Sequence, residues 1–386
     1  INGNSGAPSY AANETYTAGL IAVNEASDIA NVTNSGAVKV ERMKTDASAL
    51  ISMGGCFGEL KVALNGNNQI SNSGNINWTE TKNCSSTIGY ALGGIAGRLY
   101  GSLTGVSNTG NVVVTAKTKS TTGQNVFLGG IAGVTCGTNA ISLTGNTNTG
   151  NVQFDAQPVT SGSNNENDKD NIRTYKSIYV GGILGYNPEA ALTIENCSNS
   201  GNIVVGENVV CNKLKLGGIA ASTTTYLTCS YVGCKNTNNI IAKAKVKRIT
   251  DSKPGFVYVG GVLGEALNSN KAGAAPYDIS NSGVVSFEGD APTVYIGGYC
   301  GYYEDVNHGV SFSNTGKVEF AYNANSNIET LYIGGYIGSA SVKSKTETGA
   351  EASFAVSNSG EVAVSGVAKS VYASGCVGYV STESAV

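Results

Sequence analysis

Short segments of alternating apolar and polar residues return along the chain at intervals of about 30 to 50 residues. Each return begins with an apolar column: Val32, Ile70, Val106, Cys197, Cys234, Ile279, Phe312 and Val356, broken only by Asn146. Two places on stands an asparagine, at Asn34, Asn72, Asn108, Asn148, Asn199, Asn236, Asn281, Asn314 and Asn358, with an earlier copy at Asn4. A Ser or Thr follows, then a Gly that only Asn238 replaces. Four and six places past the asparagine the apolar pattern resumes, as in Val112 and Val114 or Val318 and Phe320. Period-two alternation predicts a half-buried strand on either side of the triplet. Glycine accepts positive φ at no steric cost and asparagine tolerates it next best, so the triplet is expected to be a tight turn, reversed by its Gly or by Asn238.

A second motif lies between the triplets, in forms such as Leu92-Gly-Gly-Ile-Ala-Gly, Val180-Gly-Gly-Ile-Leu-Gly and Ile333-Gly-Gly-Tyr-Ile-Gly. Glycines inside apolar strands mark a bulge or a close backbone approach. Each repeat thus offers one strand through the glycines, one before the triplet and one after it. The fold expected is an all-β, right-handed parallel β-helix of about ten coils and roughly 40 residues per coil, with the hand taken from the general bias of parallel crossovers. A kelch-like β-propeller is the alternative. Kelch blades carry a Trp after the glycines, this chain holds one Trp in all, and ten blades exceed the usual four to eight. A propeller gives the recurring asparagine no purpose, whereas in a solenoid identical side chains stack and their amides form a ladder.

Composition narrows the function classes. With 52 Gly, 13% charged residues and a net charge of −3, the chain predicts no strong electrostatic partner, and it has no apolar run long enough to span a membrane as a helix. The basic run Lys243, Lys245, Lys247 and Arg248 alternates mostly on one strand face and reads as a solvated edge; nucleic acid is not an expected partner. The pattern runs through all 386 residues, so residues 1–386 are read as a single repeat domain. It begins and ends within a repeat, so the expectation is that the native polypeptide is a longer array or that its open ends meet partners end to end.

The run Gly181 to Gly185 followed by Asn196-Cys-Ser-Asn-Ser-Gly-Asn-Ile203 resembles the GLUG-type glycine-rich repeats of bacterial surface and secreted proteins. That resemblance covers essentially the whole chain and implies a β-solenoid at the cell surface or in the extracellular space. It further implies a non-catalytic role in adhesion or as a scaffold, with surface proteins or glycans as partners. The alternative is a carbohydrate-binding or carbohydrate-active β-helix of the polysaccharide lyase or glycoside hydrolase kind.

Candidate chemistry lies where the repeat is decorated or broken. Two places before the glycine pair the column reads Tyr258, Tyr295, Tyr332 and Tyr372 in successive repeats, a strip that could stack on sugar rings. The longest insertion carries Glu166, Asp168 and Asp170 among asparagines, an oxygen-rich set that could hold Ca²⁺ although it lacks the Gly and terminal Glu of an EF-hand loop. Glu304, Asp305 and His308 stand together, but neighbouring residues on a strand point opposite ways and make no glycosidase pair. No catalytic residue is therefore assigned. The nine cysteines fit no zinc spacing and fall mostly in core columns. Cys197 and Cys234 share one column of consecutive repeats, which places them within reach of a disulfide.

Overall fold

The computed structural model describes residues 14–42, 49–64, 69–80, 88–116, 125–157, 174–223, 229–250, 253–267, 278–304, 311–321, 328–343 and 355–383. Successive coils stack in register, and every strand pairs with its counterpart one coil away, in parallel. Sheet A has ten strands, from Glu14–Ala18 in coil 1 to Ala368–Ser374 in coil 10. Sheet B, entered across the glycine pair, also has ten, from Ile21–Asn24 to Val377–Glu383. Sheets C and D lie before and after the triplet, from Thr33–Asn34 and Val38–Arg42 onward, with nine strands each. Sheet E has four strands, from Leu103–Thr104 to Cys229–Val232, and sheet F has three: Thr174–Tyr175, Val210–Cys211 and Lys245–Val246. This is the all-β parallel β-helix of ten coils; among the described residues no helix is long and apolar enough to cross a membrane.

The coil encloses two cores rather than one. Sheets A, D and F bury the first, through residues such as Met53, Leu92, Val112, Phe154, Cys211 and Phe287. Sheets B, C and E bury the second, through Leu60, Ile95, Val106, Leu143, Cys197 and Tyr299. Between them runs the asparagine ladder. Asn34 Nδ2 donates to Asn72 Oδ1 at 2.7 Å, and the same bond repeats through Asn108, Asn148, Asn199, Asn236, Asn281 and Asn314 to Asn358. The second amide hydrogen goes to the carbonyl two residues on, as from Asn148 to Gly150 at 2.8 Å, so each interior side chain is satisfied. The Ser or Thr after each of these asparagines is exposed, which accounts for its freedom to vary.

The triplet is not the left-handed turn that its Gly predicted. No glycine of that column has a positive φ; the left-handed residues stand three places before the ladder, at Asn31, Gln69, Gly105, Gly145, Asn196, Gly233 and Asp278. There the chain bends into sheet C; Gly137 and Gly366 also have positive φ, away from this column. The Gly column is small for another reason: a Cβ on Gly110 would lie 2.1 Å from the Gly74 carbonyl oxygen of the coil below, and one on Gly150 2.0 Å from that of Gly110. Asn238 stands at this crowded position and turns its amide to donate to the Ser200 carbonyl at 2.7 Å. A second file, absent from the sequence reading, runs one place beyond the Gly column. Asn75 Oδ1 accepts from the Asn111 amide, Asn111 from Asn151 and Asn151 from Asn202, at 2.9 to 3.0 Å.

Cys197 and Cys234, which their shared column places within reach of a disulfide, stand as free thiols. Both are buried, and each donates to a backbone carbonyl of the neighbouring coil, Cys197 to Leu143 at 3.2 Å and Cys234 to Ile194 at 3.3 Å. Burial pushes both thiols up, Cys197 to about 12, so neither is a ready nucleophile.

Candidate functional site

The glycine motif folds sheets A and B back on one another and leaves a furrow between their outer faces. At the first Gly the bend is too tight for a side chain: a Cβ on Gly129 would stand 1.9 Å from the Ala132 carbonyl oxygen. The second Gly makes room for the ladder, since a Cβ on Gly130 would fall 2.3 Å from Asn148 Cγ. At the third, the two sheets meet backbone to backbone, and a Cβ on Gly133 would sit 2.7 Å from the Leu92 amide nitrogen. One side-chain column from each sheet fills what space remains.

From sheet A the column includes Phe127, Tyr179, Lys215, Tyr258, Tyr295, Tyr332 and Tyr372. Facing it from sheet B are Val134, Tyr186, Ser222, Glu265, Tyr302, Ser339 and Tyr379. The tyrosines expected as a flat strip do come together: Tyr295 and Tyr332 stack at 4.8 Å with 13° between planes, Tyr332 and Tyr372 at 5.0 Å with 12°. Tyr258 breaks the strip. It meets Tyr295 edge-on at 70°, stacks instead on Tyr302, and is only 8% exposed. Tyr372 and Tyr379, on the edge strands of the last described coil, are 41% and 39% exposed. Burial first, and the Glu265 charge next, hold the Tyr258 phenol well above its usual value.

The sheet B partners Tyr186, Tyr302 and Tyr379 were not anticipated, yet each lies seven residues after its sheet A counterpart. That constant offset across the glycine bend is the signal that finds them. The same offset sets Ser222 opposite Lys215 and Glu265 opposite Tyr258, so the buried ion pair at the centre of the furrow runs diagonally, from one coil to the next. Lys215 Nζ lies 2.5 Å from Glu265 Oε2, the Ser222 hydroxyl donates to the same oxygen at 2.6 Å, and the rings of Tyr179, Phe256 and Tyr258 surround the ammonium at 5.3 to 5.8 Å. Nearer the first coil, Arg98 pairs with buried Glu59 at 3.2 Å and donates to Tyr16, Tyr100 and Cys136.

For chemistry, what matters is which acids converge. Glu59 and Glu265 both enter the furrow, but five coils apart, about 24 Å at the usual strand spacing. Each already holds a cation. That separation is well beyond the 5 to 10 Å, roughly, that a pair of glycosidase carboxylates spans. Among the described residues no three His, Cys, Asp or Glu side chains gather as metal ligands. The Ca²⁺ candidates Glu166, Asp168 and Asp170, and likewise Asp305 and His308, lie outside the described residues; Glu304 ends the sheet B strand Cys300–Glu304. In comparisons with known proteins, no family model, no curated protein and no solved structure matches the chain.

Proposed function

We propose that this protein is a non-catalytic, surface-exposed repeat scaffold that acts in cell adhesion or in extracellular assembly. The observation that carries this reading is the unbroken ladder: eight amide-to-amide bonds tie nine coils in one register, so the molecule is built for stiffness and for a face that repeats. The filled furrow supports it, because the acids and bases there are consumed in fixed pairs. Displayed on a cell that does not otherwise adhere, the chain is expected to promote attachment to surfaces coated with protein or glycan. Incubated with soluble polysaccharides, it is expected to release no new reducing or unsaturated ends. Product release would replace the scaffold reading with a carbohydrate-active one.

A second reading rests on Tyr295 and Tyr332, interior to the array, whose partly exposed rings stack at 4.8 Å. Paired aromatic faces of this kind suit a sugar ring, which makes the Tyr295 and Tyr332 stack the part of the strip to test for glycan binding.

A further inference from the structure

The basic run that reads from the sequence as a solvated strand edge is, in the fold, the centre of a larger cluster. Lys245 and Lys247 are exposed on either side of buried Val246. The register of sheet F, in which Tyr175 pairs with Cys211 and Cys211 with Val246, puts Lys176, Asn212 and Lys247 in one column on consecutive coils. At the usual strand spacing the outer two backbones stand about 10 Å apart. Asn212 pins the column, its Nδ2 donating to the carbonyls of Lys247 and Arg248 at 3.3 and 3.1 Å. Lys213 follows it, with its ammonium 5.2 Å from the centre of the Phe256 ring. Lys253 returns to the same neighbourhood through the antiparallel bridge from Thr250, and Gly255 passes so close that a Cβ would meet the Lys247 carbonyl oxygen at 2.1 Å and that of Asn212 at 2.7 Å.

Most acids that approach this corner are already engaged; Glu207, exposed near Lys243, forms no ion pair among the described residues. Glu329 pairs with Arg248 at 2.5 Å, Glu288 with Lys243 at 2.9 Å, and Glu265 with Lys215. Asp290 pairs through its backbone with Lys245, and Asp251 lies outside the described residues. Among the described residues Lys176, Lys213, Lys245, Lys247 and Lys253 form no ion pair, in a chain whose formal net charge is −3. Burial first, and the charge of Lys215 next, hold Lys213 below its usual value; Glu265 opposes this, and Lys176 and Lys253 add to it. Cations that repel one another are relieved when an anion enters among them.

We propose that this cluster binds an acidic polysaccharide, with Lys176, Lys213, Lys247 and Lys253 each facing carboxylates of the sugar chain. Lys176 and Lys247 lie in one column along the solenoid axis, with Lys213 and Lys253 beside it, an arrangement that suits a short stretch of a linear polymer with one carboxylate per sugar. Nucleic acid would need a broader basic surface and open aromatic platforms. The ring at this site, Phe256, is instead flanked by Lys213 and Lys215 and stacked on Tyr258 at 4.5 Å. Lysine acts as a point charge toward carboxylates, so the attachment is exposed, sensitive to salt and sparing of sugar identity. The inference does not depend on the adhesion reading, since it concerns only this face.

The test compares polygalacturonate with its fully methyl-esterified, neutral form on the purified chain. Binding to the acidic polymer is expected at low salt and is expected to vanish by about 0.5 M salt. A Lys176→Gln/Lys213→Gln/Lys247→Gln variant should bind at least tenfold more weakly at an unchanged melting temperature. A Lys39→Gln/Lys317→Gln variant, which loses two lysines paired elsewhere, should bind as the parent does. If the triple variant unfolds, Lys176→Gln alone, at an exposed position, should still weaken binding severalfold. No binding at low salt, equal binding of the esterified polymer, equal effects of the two variant sets, or tighter binding of DNA would each overturn the proposal.

Discussion

Asn148 accepts one hydrogen bond from Asn108 and gives one each to Asn199 and Gly150, all at 2.8 Å and all buried. Alanine there removes three bonds and strands a donor on one side and acceptors on the other. Net bonds are worth about 1 kcal/mol and stranded buried groups about 1 to 3, so Asn148→Ala should cost roughly 3 to 5 kcal/mol in chemical denaturation. Asn34→Ala, at the first described rung, should cost clearly less; equal losses would mean that the ladder carries no energy. The glycines make the complementary prediction. Gly130→Ala drives a Cβ into the Gly182 carbonyl at 2.1 Å and into the ladder, whereas Gly375→Ala, at the equivalent place in coil 10, meets nothing within 4 Å. The first should lose at least about 3 kcal/mol and the second should change melting little. Comparable thermal melts for the two would remove the proposed link between glycine pair and ladder.

At the scale of the strands, the furrow puts a charge pair where the rest of the layer is mostly aromatic. Lys215 on sheet A and Glu265 on sheet B belong to neighbouring coils, so the pair ties both sheets and both coils together. Removing one member of a buried pair leaves the other without compensation, a loss of about 3 to 5 kcal/mol for Lys215→Met. Lys215→Met/Glu265→Gln should recover most of that, because the glutamine still accepts from Ser222. If the double variant is as unstable as the single one, packing of the lysine stem, rather than its charge, is the larger contribution.

Across the whole molecule, buried phenols set the response to alkali. Burial is the first cause that holds Tyr258, Tyr299 and Tyr336 well above the ordinary tyrosine value of 10.0. Below that pH these phenols are neutral in the folded and unfolded chains alike, and their contribution to stability is complete. As pH rises further, the unfolded chain ionises while the folded one does not, so stability falls. Phenolate absorbance from these residues is therefore expected to appear together with loss of the β-sheet circular dichroism signal, above about pH 10. Phenols that titrate fully while the sheets persist would contradict their burial.

The coil plan was legible in the sequence because every coil solves the same problem: Val112, Val152 and Ile203 recur at one position since each faces the same core, and Asn108, Asn148 and Asn199 recur since each must bond the next. The Tyr295, Tyr332 and Tyr372 stack followed from the same register. What the repeat could not tell was how the coil folds across its own section. Only the tertiary structure decided that Gly110 is small because Gly74 lies beneath it, and that the left-handed bend sits at Gly105. It alone brought Tyr302 against Tyr258, Glu265 to Lys215, and Lys176 into one column with Lys247. The physical reason is that a repeated pattern records which residues share a face from coil to coil, whereas the approach of two different faces depends on how tightly the chain bends between them.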